Sequence, residues 1–396
     1  MSNYIAGKIN SPMIYPKSYP LSICKANGPF IYDVKLHKYI DLWSSYGAAI
    51  LGHSDFGLLE SVSSQLYKGI LYPAPSVLEQ KLADLLHTTI PNAKSIKFAT
   101  TGSEATMYAI RVARCFTKKE KVLDITGNYH GANDVLMPTK GRPSCLNSTV
   151  DYVEFNDLDA IEKHFKNEEY AALIMEPIMT NSNCILPEKN YLNSVKKLCN
   201  EYGVLLIFDE IVTGFRVSIG GAQKLYKVIP DLSTFSKAMG GGFPISAVCG
   251  KKEIMDLFSD QGAFLGGTFN ANPLSLTAAI YTVSKLKFGG LNQLHKEAKQ
   301  IINPIRDMVE KYDGIKISSQ GPMFGIAFSK DILINNGDLK KSSSEKYAFF
   351  ASLLAKRGIF LPPNHSESCF LSLSHASVSK EIIEKLISAL KNTVQN

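Results

Sequence analysis

"VLLIFDEIVTGFRVSIGGAQKLYKVIPDLSTFSKAMGGGFPI" (204–245) holds two apolar runs that each end in a charge, Asp209 after "VLLIF" and Lys237 after "LSTFS". Short apolar, β-branched runs bounded by turn residues read as buried strands. A charge carried to the end of such a strand needs a partner or a task, because an unpaired buried charge is costly. Lysine in apolar surroundings tends to give up its proton and become a nucleophile. The three glycines that follow, Gly240–Gly242, are expected to let a flat ligand approach the backbone. A solvated lysine before a flexible turn is the alternative that this stretch alone leaves open.

Outward from these two strands the same grammar continues. "SIKFAT" (95–100), "KVLDIT" (121–126) and "AALIM" (171–175) also read as strands, while 103–116, 157–167 and 188–202 carry helical spacing of apolar residues. Strands alternating with helices predict an α/β fold with a mostly parallel, seven-stranded-type sheet covered on both faces. After residue 290 the pattern becomes helix 291–312, strand 321–329, helix 343–357, strand 369–374 and helix 379–393. The expected organisation is a large domain over 56–288 and a smaller α+β domain over 289–396. An N-terminal segment, 1–55, joins the small domain and carries a candidate hairpin in "GPFIYDVKLHKYIDLW" (28–43).

Composition excludes several classes of function. The 396 residues are 45% hydrophobic, and the formal charge of +7 comes from 43 basic and 36 acidic residues with no basic run longer than a pair. A nucleic-acid surface concentrates its charge, so the excess points to small anionic substrates rather than DNA or RNA. Seven cysteines show no metal-ligand spacing, which fits reduced thiols, several of them in the core (Cys184, Cys199, Cys249). Neither a signal-peptide core nor a membrane-spanning run is visible, so a cytoplasmic protein is expected.

In open α/β sheets ligands bind at the carboxyl ends of the strands. There, "ATTGSEATMYAIRVAR" (99–114) turns a strand into a helix at Gly102 and Ser103, where free amides, a hydroxyl and the helix dipole converge. That suits a phosphate, although Ser103 capping its own helix is the competing reading. Tyr129 in "NYHGA" is placed to stack on a flat ring or simply to pack, and His130 reads as a satisfied core histidine. Asp209 is either a partner for a ring nitrogen or a turn aspartate paired with Arg216. Glu176 and Asn181 close a third strand end. Taken together, a phosphate turn, an aromatic, an aspartate and a lysine at successive strand ends are the parts of a site for pyridoxal 5′-phosphate.

These motifs resemble the class III (fold type I) aminotransferases, and within that family the glutamate-1-semialdehyde 2,1-aminomutase group. The resemblance is carried by 206–255 and by "GGTFNANPLSLTAA" (266–279), "EPIMTNSN" (176–183), "ATTGSEA" (99–105), "NYHGA" (128–132) and "INSP" (9–12). It implies that Lys237 forms a Schiff base with the cofactor and shuttles protons, that Asp209 pairs with the pyridine nitrogen, and that Ile211 and Tyr129 cover the two ring faces. Asn181 would bond near the ring hydroxyl, and Gly102 and Ser103 would hold the phosphate. Thr268 would complete the phosphate site from the partner subunit of a homodimer, and Glu367 in "ESCFLS" would lie near the substrate.

The departures concern the substrate. Ile14 stands where the aminomutase pattern "NSPVR" has an arginine for the substrate carboxylate, Tyr46 replaces a tryptophan, and a long glycine-rich gate shrinks to "TKGRPSCLNS" (139–148). Arg142 in that loop is a candidate anion contact. The expectation is an aminotransferase passing an amino group from an amino-acid donor to a small aldehyde or ketone, such as a phosphorylated triose or a sugar-like acceptor. The alternative is glutamate-1-semialdehyde 2,1-aminomutase itself.

Overall fold

The computed structural model describes residues 4, 22–136, 149–259 and 262–395. Ile14 and Arg142 lie outside them. The chain runs through strands β1 (Ile23–Asn27), β2 (Phe30–Asp33) and β3 (Lys38–Asp41), then helices α1 (Phe56–Leu66) and α2 (Val77–His87). The central body follows as β4 (Ser95–Ala99), α3 (Gly102–Thr117), β5 (Lys121–Ile125), β6 (Val150–Val153), α4 (Leu158–Asn167), β7 (Tyr170–Met175), α5 (Tyr191–Glu201), β8 (Leu205–Asp209), α6 (Gly221–Tyr226), β9 (Leu232–Phe235), β10 (Ser246–Gly250), α7 (Lys252–Met255) and α8 (Pro273–Lys285). The rest comprises α9 (Leu291–Val309), β11 (Lys316–Gln320), β12 (Met323–Ala327), α10 (Asn336–Lys341), α11 (Ser344–Lys356), β13 (Ile359–Phe360), β14 (Cys369–Phe370) and α12 (Ser379–Gln395).

Seven strands form the central sheet in the order β4-β10-β9-β8-β7-β5-β6. The pairs from β9 to β6 are parallel, and β10 runs antiparallel to both β9 and β4. All six residues of β7, "YAALIM", are buried, as a central strand covered by helices on both faces requires. The order falls from β10 through β9, β8 and β7 to β5 and then turns up to β6, and the chemistry collects at the carboxyl ends of these parallel strands. β13 pairs in parallel with β3, so the N-terminal hairpin shares a sheet with the C-terminal third of the chain.

Three expectations change in detail. The strand expected over 321–329 occupies only Met323–Ala327 and pairs with an unforeseen neighbour, Lys316–Gln320, whose half-buried "KISSQ" lacks an apolar face. The strand expected over 369–374 is two residues long and passes into a 3-10 helix, Leu373–Val378, closed by His375 bonding back to Ser372. The helix expected from 291 is joined to α8 through a π turn, Leu286–Gly290, in which Gly289 has φ 120°. Among the described residues, no helix is long and apolar enough to cross a membrane.

Burial along β7 gives a direct test of the sheet. Ile174→Ala, fully buried, should cost about 2–5 kcal/mol in denaturant unfolding, whereas Ile23→Ala on the exposed edge strand β1 should stay within about 0.5 kcal/mol.

Candidate active site

The carboxyl ends of β5, β7, β8 and β9 and the first turn of α3 surround a cavity of about 160 Å³ lined by Gly102, Ser103, Tyr129, Gly131, Glu176, Asn181, Asp209, Ile211, Val212, Ser236 and Lys237. Eight of the residues singled out in the sequence therefore converge on one space. Thr268 does not. It lines a separate cavity with Leu71–Ser76 and Pro273. Tyr46 is half-exposed in a left-handed conformation and stacks on Trp43 with ring centroids 3.9 Å apart.

The phosphate-type corner is built by α3. Its cap is Thr101, not Ser103: Thr101 Oγ1 accepts the Glu104 amide, and Glu104 in turn accepts the Thr101 amide at 2.7 Å. That capping box leaves the Gly102 and Ser103 amides without intrahelical partners. Ser103 Oγ accepts the Ala132 amide at 3.1 Å, which ties this corner to the loop after β5. The corner is a cradle that side chains would fill. A Cβ on Gly131, at φ 90°, would lie 2.2 Å from Ser103 Oγ, and one on Gly102 would lie 2.8 Å from Ile211 Cδ1.

Asp209 is fixed by three donors. Oδ1 accepts the Ile211 amide at 3.0 Å and the Thr234 hydroxyl at 3.1 Å, and Oδ2 faces His130 Nδ1 at 2.7 Å. A carboxylate has about four lone-pair sites, so one acceptor site remains for a donor in the cavity. Arg216 is not its partner. That guanidinium is fully buried, donates to the Gly47 and Val212 carbonyls, and lies over the Phe370 ring. Glu176 is saturated instead. It accepts the Tyr129 and Thr180 amides, the Thr180 hydroxyl and Asn181 Nδ2, and so fixes both Tyr129 and Asn181. Sequence reasoning gave Glu176 no such role, although a carboxylate at a third strand end was its visible sign.

Lys237 begins a 3-10 helix, Lys237–Gly240, with φ 39°, an uncommon backbone for a side chain with a Cβ. Burial pushes its ammonium below the usual lysine range, while the carboxylates of Glu367, Glu176 and Asp209 pull the other way. Burial also raises Glu367 and Tyr129 above their ordinary values. Gly240–Gly242 do not line the cavity, contrary to expectation. Gly241 and Gly242, at φ 60° and 109°, swing the chain from Lys237 back into β10, and Gly241 leaves no room for a Cβ beside Thr282. Their task is the turn that presents the lysine.

The cradle of amides, the open acceptor site on Asp209, the cavity lined by Ile211 and Tyr129, and the half-buried lysine fit pyridoxal 5′-phosphate, and with the sheet they define a fold type I enzyme of that cofactor. The family model for class III aminotransferases matches residues 14–394, and the chain belongs to that family, whose cofactor is pyridoxal 5′-phosphate. A relative from Saccharolobus islandicus named glutamate-1-semialdehyde 2,1-aminomutase is 41% identical, over 96% of this chain and 93% of its own. An omega-transaminase from Sphaerobacter thermophilus superposes with a TM-score of 0.91 at 27% identity, over 98% and 95% of the two chains. A glutamate-1-semialdehyde aminomutase variant from Pseudomonas aeruginosa PAO1, in complex with PMP, gives 0.86 at 20% identity, over 95% and 89%.

The cradle can be tested by filling it. Gly131→Ala should displace Ser103 and weaken pyridoxal phosphate binding at least about tenfold, measured by fluorescence titration. Gly203→Ala, at φ 63° in open space, should cost only about 1–2 kcal/mol of stability and leave binding unchanged.

Proposed function

We propose that this chain is a glutamate-1-semialdehyde 2,1-aminomutase, carrying the amino group from C2 to C1 of one substrate. The observation that carries the reading is the 41% identity, over nearly the whole of both chains, to relatives of that name. It favours the alternative of the sequence reading over net transamination to a separate aldehyde or ketone. Ile14 is the observation on the other side. An apolar residue there withholds the bidentate partner that a substrate carboxylate would use, and Arg142 is the candidate that would replace it.

The family resemblance and the cavity lining support these roles. Gly102 and Ser103 would hold the phosphate, with Thr268 of the partner subunit completing it. Asp209 would use its remaining acceptor site for the ring nitrogen, Asn181 would bond near the ring hydroxyl, and Ile211 and Tyr129 would enclose the ring. The bound cofactor supplies an electron sink that stabilises negative charge at the substrate carbon. Lys237 would join it covalently and, once displaced, move the proton between carbons, a task suited to an amine whose pKa burial has lowered. Glu367 and Tyr46 would border the substrate, with Glu367 close enough to Lys237 and Tyr129 to act on both electrostatically.

A homodimer is supported by the outer face of α1. Leu58, Val62 and Gln65 are its buried residues, and beside them a stripe of Phe56, Leu59 and Leu66 is exposed and runs into exposed Tyr67 and Ile70. An apolar surface that extends past the buried face of a helix calls for a second partner. The Thr268 cavity borders the same stretch at Leu71 and Tyr72.

Three measurements follow. Glutamate-1-semialdehyde supplied without any other amino donor or acceptor should give the 5-amino-4-oxo acid, whereas turnover that demands an added amino acid and releases a keto acid would support the aminotransferase reading. Asp209→Asn should retain cofactor yet slow proton transfer about ten- to a hundredfold, the worth of one charge-assisted hydrogen bond of about 1.5–3 kcal/mol, read by single-turnover absorbance. Leu59→Glu should shift the protein toward monomer in sedimentation and reduce activity in step; a fully active monomer would contradict the shared site.

A further inference from the structure

His130 is the buried group that the roles above leave unused. Its ring is fully enclosed, with Nδ1 2.7 Å from Asp209 Oδ2 and Nε2 3.1 Å from Asp124 Oδ1. Both carboxylates are themselves buried, and Asp124 sits in β5, next but one to β8 in the sheet. An ionised carboxylate only accepts hydrogen bonds, whereas a neutral imidazole offers one donor and one acceptor. A neutral ring between two carboxylates would therefore set a lone pair against an acceptor on one side, in a place where water cannot intervene. Two acceptors call for two N–H donors.

We propose that Asp124 is a positioning residue that holds His130 doubly protonated, so that Asp209 faces a fixed buried cation on one side and the cofactor site on the other. The triad then carries one net negative charge. His130 donates Nδ1–H to Asp209 and Nε2–H to Asp124. Of the neighbouring charges, Glu176, at the end of β7 between the two strands, attracts the imidazolium, whereas an ammonium on Lys237 across the cavity would oppose it. From α3 comes only the Thr106 hydroxyl, which bonds the His130 carbonyl at 2.6 Å and fixes the residue without adding charge. Burial opposes a charge on the ring, but Asp124 and Asp209 outweigh it and hold its pKa well above the usual histidine value.

The mechanism differs from simple packing in what it controls. Asp124→Asn keeps a similar shape and a hydrogen-bonding oxygen but removes the charge, and an opposite charge at this range typically moves a pKa by about 1–3 units. The test uses nitrogen-15 histidine NMR on the full chain, both free and loaded with pyridoxal phosphate, with His130 assigned by the signal lost in His130→Gln. The wild-type ring should show two protonated nitrogens at neutral pH and above the usual histidine range. In Asp124→Asn the ring should lose a proton within that range of pH, and the absorbance of the bound cofactor should acquire a pH-dependent step with the same midpoint. Asp124→Glu should restore the doubly protonated ring. A wild-type His130 that carries a single proton at neutral pH overturns the proposal, even if Asp124→Asn fails to fold. So does an Asp124→Asn ring that stays doubly protonated. Because the free protein is read directly, neither result depends on which substrate the enzyme uses.

Discussion

One carboxylate, nearly buried at the edge of the cavity and given three donors of its own, organises the centre of this molecule. Asp209 terminates β8, and the Ile211 amide, the Thr234 hydroxyl and the His130 ring hold both of its oxygens. Each of those donors belongs to a different piece of the chain. Ile211 is the turn leaving β8, Thr234 is on β9, and His130 is in the loop after β5. A buried charge is tolerated only when it is satisfied, so the sheet register and both loops must be in place before Asp209 has its partners. The same register sets Lys237 at the end of β9 and Tyr129 one residue before His130.

Parallel pairing makes this economical in residues. When strands run the same way, their carboxyl ends lie together, and residues far apart in sequence meet without a dedicated scaffold. Glu176 serves as the clamp at the third end, since four donors from Tyr129, Thr180 and Asn181 converge on it. Lys237 adopts φ 39°, a conformation that persists only when surrounding packing over-determines it, and the two glycines behind it take positive φ without steric cost. The turn gives the ammonium its position in the cavity.

Much of this was legible in the residues because the signals were local. Four apolar runs ending in "ATTG", "DIT", "MEP" and "FDE" marked the strand ends, and a flanking lysine and aspartate marked the chemistry. What escaped reading depended on partners distant in sequence. "KISSQ" has no hydrophobic alternation, and β12 beside it is what makes it a strand. By contrast, Thr101 rather than Ser103 caps α3 because Glu104, three residues on, reaches back to it, a capping-box spacing that is readable in the sequence. The glycine run after Lys237 is identical in sequence whether it admits a ligand or turns a chain, and only the closeness of Thr282 distinguishes them. His130 did prove to be a satisfied, buried histidine; that its two partners are both carboxylates is a fact of the folded sheet.

The central claim is that the cavity at these strand ends binds pyridoxal phosphate covalently through Lys237. Borohydride reduction of the cofactor-loaded protein, followed by proteolysis and mass spectrometry, reads this directly. The account predicts one phosphopyridoxyl group per chain, on the peptide containing Lys237. A reduced adduct on a different lysine, or stoichiometric cofactor with no reducible bond to the protein, would contradict it.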